Sequence, residues 1–336
     1  MPTGNALAVI RSSITIPPRP KKSGDLNTIT YWTGAGNVNT PPAATNLAPD
    51  KDTISYANIL RYDKFNKTIH AICNYLIVVS NKNISTTYRI YADTQIDIKT
   101  ARIIKNTEIT RYTTTPKATT YFSGVKYFDQ QYGDICISNN LAIYLGEPTN
   151  VIGYFNTIGN ISSLRTASIQ PIRILLNSKN ELIVVDTTQI RIFKFNGDSE
   201  VITTRKSNIY CTVTLDSNDN IYMYDGVIFK IIKITPNGTV TEIADIPDHA
   251  TSIICDNEDN ILYITNKTVN SNNIQYISKL IIGGTPTEFG NFQAMLVHPI
   301  SMCFDSLGCL YVANDDYYPN NGTTRSIHSN RIYKIS

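Results

Sequence analysis

Six side chains with oxygen donors, Asn74, Asn139, Asp186, Asp225, Asn266 and Asn314, each close a short apolar run. If the runs are equivalent strands, their ends share one face. Carboxylate and carboxamide oxygens converging there could hold a metal ion that activates water for a hydrolase or lyase. The repetition argues for a simpler role, because a side chain present at the same place in every copy is expected to cap a turn by hydrogen bonding to backbone. Four histidines, His70, His249, His298 and His328, show no metal-ligand spacing and are expected to be structural or solvated. No Gly-x-Ser-x-Gly elbow, Gly-rich phosphate loop or paired-cysteine zinc motif occurs in the sequence. No catalytic residue, metal ligand or cofactor is therefore assigned from sequence.

The elements that would position these groups repeat. Each run is preceded by another that closes on Asp63, Asp129, Asn177, Asp216, Asp256 or Asp305. The two markers are separated by 11, 10, 9, 9, 10 and 9 residues in turn. Between them lie polar turns such as Asp216-Ser217-Asn218-Asp219-Asn220, whose residues suit tight hairpins. A third run alternates basic and apolar residues, as in Ile190 to Phe195 and Ile228 to Ile234, the period of a strand with one buried face. Several short strands repeating every ~40 residues point to propeller blades. The sixth copy has three strands, and Asn27 to Gly34 has the alternation to supply a fourth. The expected fold is all-β, a six-bladed β-propeller over 27–336, closed by an N-terminal strand completing the last blade. An extended arm, 1–26, precedes it.

The pattern from Asp305 to Asn314 and from Arg331 to Ile335, with its copies, resembles that of NHL-type six-bladed propellers, akin in architecture to lactonase-like propellers. The opening run Ile29 to Gly36, with Pro41, Pro42, Ala43, Ala44, Asn46 and Leu47, is similar as well. Blades 1 and 2 depart from the pattern, with spacings of 66 from Asp63 to Asp129 and 48 from Asp129 to Asn177. The resemblance implies a fold and leaves function open, since the family includes protein-binding, RNA-binding and enzymatic members.

The remaining features favour a binding role. A net charge of +3 with 17% charged residues gives no strong electrostatic footprint, so nucleic acid is not the expected partner. The six cysteines lie in or beside strands and are expected to be buried free thiols, Cys303 and Cys309 being the pair to check for a bridge. No secretion signal or membrane span is read, and the six Asn-x-Ser/Thr sequons are expected to be unused. Enrichment in Asn, Ile, Lys and Tyr suggests an AT-rich genome, as of a large DNA virus, and a cytoplasmic or virion location. Long connections occur around Tyr75 to Thr87 and from Asn314 to Arg331, the latter holding Tyr317, Tyr318 and Arg325. Together with Ile14 and Ile16 of the arm, these three are the expected partner-binding residues. The leading expectation is a non-enzymatic binding or assembly module that contacts protein, including copies of itself. The alternatives are a metal-dependent hydrolase, lactonase or lyase using the central channel, and an RNA-binding propeller.

Overall fold

The computed structural model describes residues 20–34, 57–64, 67–81, 84–97, 102–113, 134–138, 141–145, 151–156, 161–166, 171–194, 198–205, 211–269, 272–290, 292, 296, 299–318 and 327–336. Among them the chain is built from strands, with one short 3-10 turn at Ser23–Asp25, and no helix is long and apolar enough to cross a membrane. Strand β1 (Ile29–Gly34) comes first. Blade 1 then holds β2 (Ala57–Asp63), β3 (Thr68–Asn81), β4 (Ile84–Asp97) and β5 (Arg102–Thr113). Blade 2 holds β6 (Ile135–Ser138), β7 (Leu141–Leu145), β8 (Val151–Asn156) and β9 (Ile161–Thr166). Blade 3 holds β10 (Pro171–Leu176), β11 (Leu182–Asp186), β12 (Gln189–Phe193) and β13 (Ser199–Thr204). Blade 4 holds β14 (Cys211–Leu215), β15 (Ile221–Asp225), β16 (Lys230–Ile234) and β17 (Val240–Asp245). Blade 5 holds β18 (Ala250–Cys255), β19 (Ile261–Val269), β20 (Asn272–Leu280) and β21 (Thr287–Glu288). Blade 6 holds β22 (Pro299–Phe304), β23 (Leu310–Tyr318) and β24 (Ile327–Ile335).

Each blade is an antiparallel meander in chain order, and the last takes β1 as its outer strand, from Ile29 opposite Ile335 to Gly34 opposite Arg331. The first strands of successive blades touch in a closed cycle, β2, β6, β10, β14, β18, β22 and back to β2. This is a β-propeller, with β1 joining the two ends of the chain as the alternation at Asn27 to Gly34 predicts.

The first marker of each copy makes the turn. Asp216 Oδ1 accepts the N–H groups of Asn218 (2.9 Å) and Asn220 (2.8 Å), and Asp256 and Asp305 repeat the arrangement with Glu258 and Asn260, and with Leu307 and Cys309. Such an Asx turn satisfies backbone donors that the ladder cannot reach. The fourth residue of the turn adopts positive φ at Asn180, Asp219, Asp259 and Gly308, a conformation that Asn, Asp and Gly tolerate best.

The core lies between blades. Second strands β11 and β15 are buried along their whole length, so both faces pack on neighbours rather than one meeting water. One cluster joins blades 3 and 4 through Ile183, Val185, Val213 and Met223, and another joins blades 5 and 6 through Ile254, Leu262, Met302 and Leu310. Outer strands β13 and β17 are largely exposed.

Two readings of the sequence are corrected by the register. In blade 2, Ile135–Ser138 is the innermost strand and pairs with β7, so Asn139 follows the first strand instead of closing the second; Asp129 lies outside the described residues. The insertion around Tyr75 to Thr87 belongs to a hairpin of two 14-residue strands, paired from Thr68 opposite Asp97 to Asn81 opposite Ile84. Of the arm, Lys21 to Leu26 packs on blades 5 and 6, and residues 1–19 lie outside the described residues.

Trp32, the only tryptophan, carries ring closure into the core: its ring meets that of fully buried Tyr311 edge-on at 4.7 Å. Trp32→Ala is expected to lower unfolding free energy by about 3 kcal/mol, the low end for aromatic truncation because Trp32 is only partly buried. Denaturant titration followed by circular dichroism checks this, and a loss below about 1 kcal/mol would show that closure does not rest on this contact.

Candidate active site at the channel mouth

In a meander, the start of each first strand and the turn between second and third strands lie at the same end. That end is the elaborated one. β3 and β4 run to 14 residues, and β19, β20, β23 and β24 to 9, where β11, β12, β15 and β16 have 5. The opposite end carries the Asx turns. Chemistry is therefore sought where the first strands begin, at the mouth of the channel.

Between blades 1, 2 and 3 the mouth holds a fully buried carboxylate, Asp134. Its Oδ1 accepts Ile135 N–H (2.8 Å) and Arg61 Nη2 (2.9 Å), while Oδ2 accepts Ile174 N–H (3.2 Å). One side chain thus ties three blades, and its lone pairs are committed to that task. Arg173, on β10, donates Nη1 to its neighbour's carbonyl at Ile172 (2.8 Å), as Arg61 does to Leu60 (3.0 Å). No carboxylate is paired with Arg173 among the described residues.

Between blades 3 and 4, Arg205 donates Nη1 to the Asp186 carbonyl (2.8 Å) and to Cys211 Sγ (3.7 Å). Burial pushes the Cys211 thiol up, and the nearby Arg205 and Arg173 guanidiniums only partly offset this. Desolvation wins, so Cys211 is a neutral thiol rather than a thiolate nucleophile.

Between blades 4 and 5 stands an exposed histidine, His249, immediately before β18. Its Nδ1 is 3.4 Å from Tyr224 Oη, and its ring lies 5.3 Å from that of Phe229. Burial raises the Tyr224 hydroxyl to about 12, partly offset by the Ala250 backbone N–H, so it stays protonated at neutral pH. Phe229 has φ 55°, a left-handed conformation costly for a bulky side chain, and its carbonyl accepts Ile246 N–H (2.8 Å). Val227, Ile228 and Phe229 are exposed beside the pair. Apolar surface, an arginine and a histidine–tyrosine couple at one rim can bind a partly apolar, anionic molecule and move a proton on it.

The described acidic markers are committed to their own turns. Asp186 Oδ1 accepts Thr188 N–H and Gln189 N–H (3.0 Å), and Asp225 Oδ1 accepts Val227 N–H (2.9 Å), which is turn capping as expected. Asn74, Asn266 and Asn314 fall inside strands that continue past them, with Asn314 fully buried, and Asn139 lies outside the described residues. Among the described residues no three His, Cys, Asp or Glu side chains are placed to hold a metal, and the donors present do not fit one. His70 is buried with Nε2 3.9 Å from buried Asp63, a structural position. Cys136, Cys211, Cys255, Cys303 and Cys309 are free, and Cys303 and Cys309 form no bridge.

Tyr317 and Tyr318 end β23 in regular pairing with His328 and Ile327, whereas Arg325, Ile14 and Ile16 lie outside the described residues. His249 was named in the sequence only among four histidines expected to be structural or solvated, and Tyr224 and Arg205 were not singled out. The one signal available was that His249 and Arg205 fall in connections between blades, outside the repeat.

No family model and no curated protein matches the sequence. Solved structures do. Virginiamycin B lyase from Staphylococcus aureus, in selenomethionine form, is 14% identical with a TM-score of 0.51, covering 84% of this chain and 95% of that one. A catalytically inactive histidine-to-alanine variant of that lyase with quinupristin gives 13%, 0.50, 92% and 99%. The calcium-binding protein regucalcin from Agrobacterium tumefaciens gives 9%, 0.52, 85% and 92%. At such identities the likeness shows the propeller fold. The named neighbours include lyases, which overturns the leading expectation of a non-enzymatic module in favour of its hydrolase or lyase alternative. The physical ground for that expectation has weakened too, because part of the supposed recognition loop in blade 6 is regular hairpin.

Replacing Asp134 by Ala would leave Arg61 and Ile174 N–H without their carboxylate. A loss of about 3 kcal/mol is expected, as for breaking a buried pair whose cation is partly exposed. Asp134→Asn, which keeps one acceptor, should cost less; a loss below about 1 kcal/mol for Asp134→Ala in denaturant titrations would refute the carboxylate's role. The buried thiols and tyrosines set an alkaline limit. Cys136, Cys211, Cys255 and Cys303 are pushed above the ordinary 9.0, and Tyr222 and Tyr224 up to about 12, by burial. Groups raised in the fold stabilise it fully below their unfolded values, and that stability is lost as pH rises toward the folded ones. Unfolding free energy should therefore fall from pH 9 upward, and a flat profile to pH 11 would contradict it.

Proposed function

We propose that the chain is a propeller enzyme, a hydrolase or lyase, that works at the channel mouth with His249 as its proton-transfer residue. The observation that carries this reading is the exposed His249 imidazole held against buried Tyr224 beside the start of β18. When Nδ1–H is donated to Tyr224 Oη, Nε2 keeps a lone pair that can take a proton from substrate or water. Tyr224 is then the positioning residue: it sits on a fully buried strand and fixes the ring's rotation. Arg173 would hold a carboxylate or another anionic group of the substrate.

The likeness to a lyase whose histidine-to-alanine variant is catalytically inactive supports a histidine-dependent reaction without specifying its substrate. The repeat pattern supports an NHL-type, six-bladed assignment within the propellers. The described donors do not support a metal-dependent reaction.

The test is turnover of a panel containing quinupristin, lactones and aryl esters bearing a carboxylate. At least one member is expected to be converted. His249→Ala should lower kcat about 100-fold or more, and Tyr224→Phe should lower it less while shifting the pH profile. Circular dichroism would confirm that both variants fold. Undiminished turnover in His249→Ala, or no turnover of the whole panel, would count against the proposal.

A further inference from the structure

The Asx turns do more than end strands: they hook each blade to the next. In blade 3, Ser178 follows the marker Asn177, and it donates its N–H (2.8 Å) and Oγ–H (2.6 Å) to the carboxylate of Asp219 in blade 4. In blade 4, Ser217 does the same to Asp259 of blade 5, at 2.9 and 2.6 Å. The rule is a serine one residue after the marker and an aspartate three residues after the marker of the following blade. At the seam between blades 6 and 1 the serine survives as Ser306, bonded to Tyr62 Oη at 3.0 Å.

The seam between blades 5 and 6 lacks both halves. The serine position is Asn257 and the aspartate position is Gly308. Into this gap runs the chain's own segment Lys21–Asp25. Lys21 N–H donates to Leu307 O (2.8 Å) on blade 6, and Asn257 Nδ2 donates to Lys21 O (2.8 Å) from blade 5. Ser23, buried, donates its hydroxyl to Asp256, and Lys22 pairs with Glu258. Leu26 enters the core shared by the two blades.

The substitutions match the segment. A Cβ on Gly308 would stand 2.2 Å from the Lys21 carbonyl oxygen, so any side chain there excludes the strap. Asp305 and Asp216 receive a tyrosine hydroxyl six residues on, from Tyr311 (3.2 Å) and Tyr222. The equivalent residue after Asp256 is Leu262, which cannot donate, and the Ser23 hydroxyl supplies the missing bond.

We propose that the groove formed by Asp256, Asn257, Glu258, Leu307 and Gly308 is a peptide-recognition site. Its occupant is the chain's own Lys21–Asp25 strap, which replaces the serine–aspartate latch at this seam. The strap is held by backbone and charge contacts on both blades, so it fastens the ring at a second place, separate from the β1 and β24 ladder.

The full chain contains its own reporter, since trypsin cuts after Lys21 and Lys22 only where the backbone can enter the protease. Gly308→Asp is compatible with the local backbone, because Asp219 and Asp259 hold the equivalent position at φ 61°. The variant is expected to expel the strap, speeding cleavage there by about tenfold or more under native conditions, and to lower the unfolding midpoint. Asn257→Ser combined with Gly308→Asp installs the general latch. It should keep cleavage fast while returning the midpoint toward wild type. Equal cleavage rates in wild type and Gly308→Asp would overturn the recognition site. A double variant no more stable than Gly308→Asp alone would overturn the replacement of the latch.

Discussion

Burial of both faces of the middle strands is the constraint from which the rest of this structure follows. Strands such as β11 and β15 present apolar residues to either side, so a blade cut free would expose two greasy faces and could not remain folded in water. Each core cluster is shared between neighbours, and the last blade must therefore find the first. Covering both faces still leaves an open sheet edge on blade 6, and β1 fills it with a full antiparallel ladder. The chain ends are thereby joined by backbone hydrogen bonds, with Trp32 and Leu26 adding apolar contact on either side.

The Asx turn is the second regularity, and it divides the molecule into two unlike ends. One carboxylate both organises its own hairpin and, through the residues around it, holds the next blade. A change of turn length there would disturb two blades at once. This end is consequently confined to short turns. At the opposite end the ties between blades, through Asp134 and Arg205, lie outside the hairpin turns, and there the hairpins lengthen and the interblade residues vary. Tolerance of variation, rather than any motif, marks that end as the place for chemistry.

This division explains what could be read in the sequence. The strand order, the closing strand and the turn markers at Asp216, Asp256 and Asp305 were legible because each is written several times over. Blade 2 was misplaced by one strand because a single copy with a shortened first strand offers two equally apolar runs before Asn177, and only ladder pairing distinguishes them. Tyr317 and Tyr318 attracted attention through loop length, but length does not tell a loop from an extended hairpin. Arg205 and Asp134 were missed, and His249 was read as structural or solvated, for the converse reason. They occur once each, outside the repeat, and their importance comes from neighbours far away in sequence, such as Tyr224, Cys211 and Arg61.

Phe229 gives a physical reason to look at the pair of His249 and Tyr224 rather than elsewhere on the rim. A phenylalanine at φ 55° costs on the order of 1–3 kcal/mol, and it closes the turn between Asp225 and Lys230. The strain persists because the Phe229 carbonyl is held by Ile246 N–H, on the connection that also carries His249. Its effect is to stand an aromatic ring against one side of the imidazole while Tyr224 approaches another. The ring thus has an aromatic flank, and a hydrogen bond at Nδ1 fixes its orientation. A solvated surface histidine needs neither. An oriented imidazole with an aromatic flank is what a proton-transfer reaction at this rim would use.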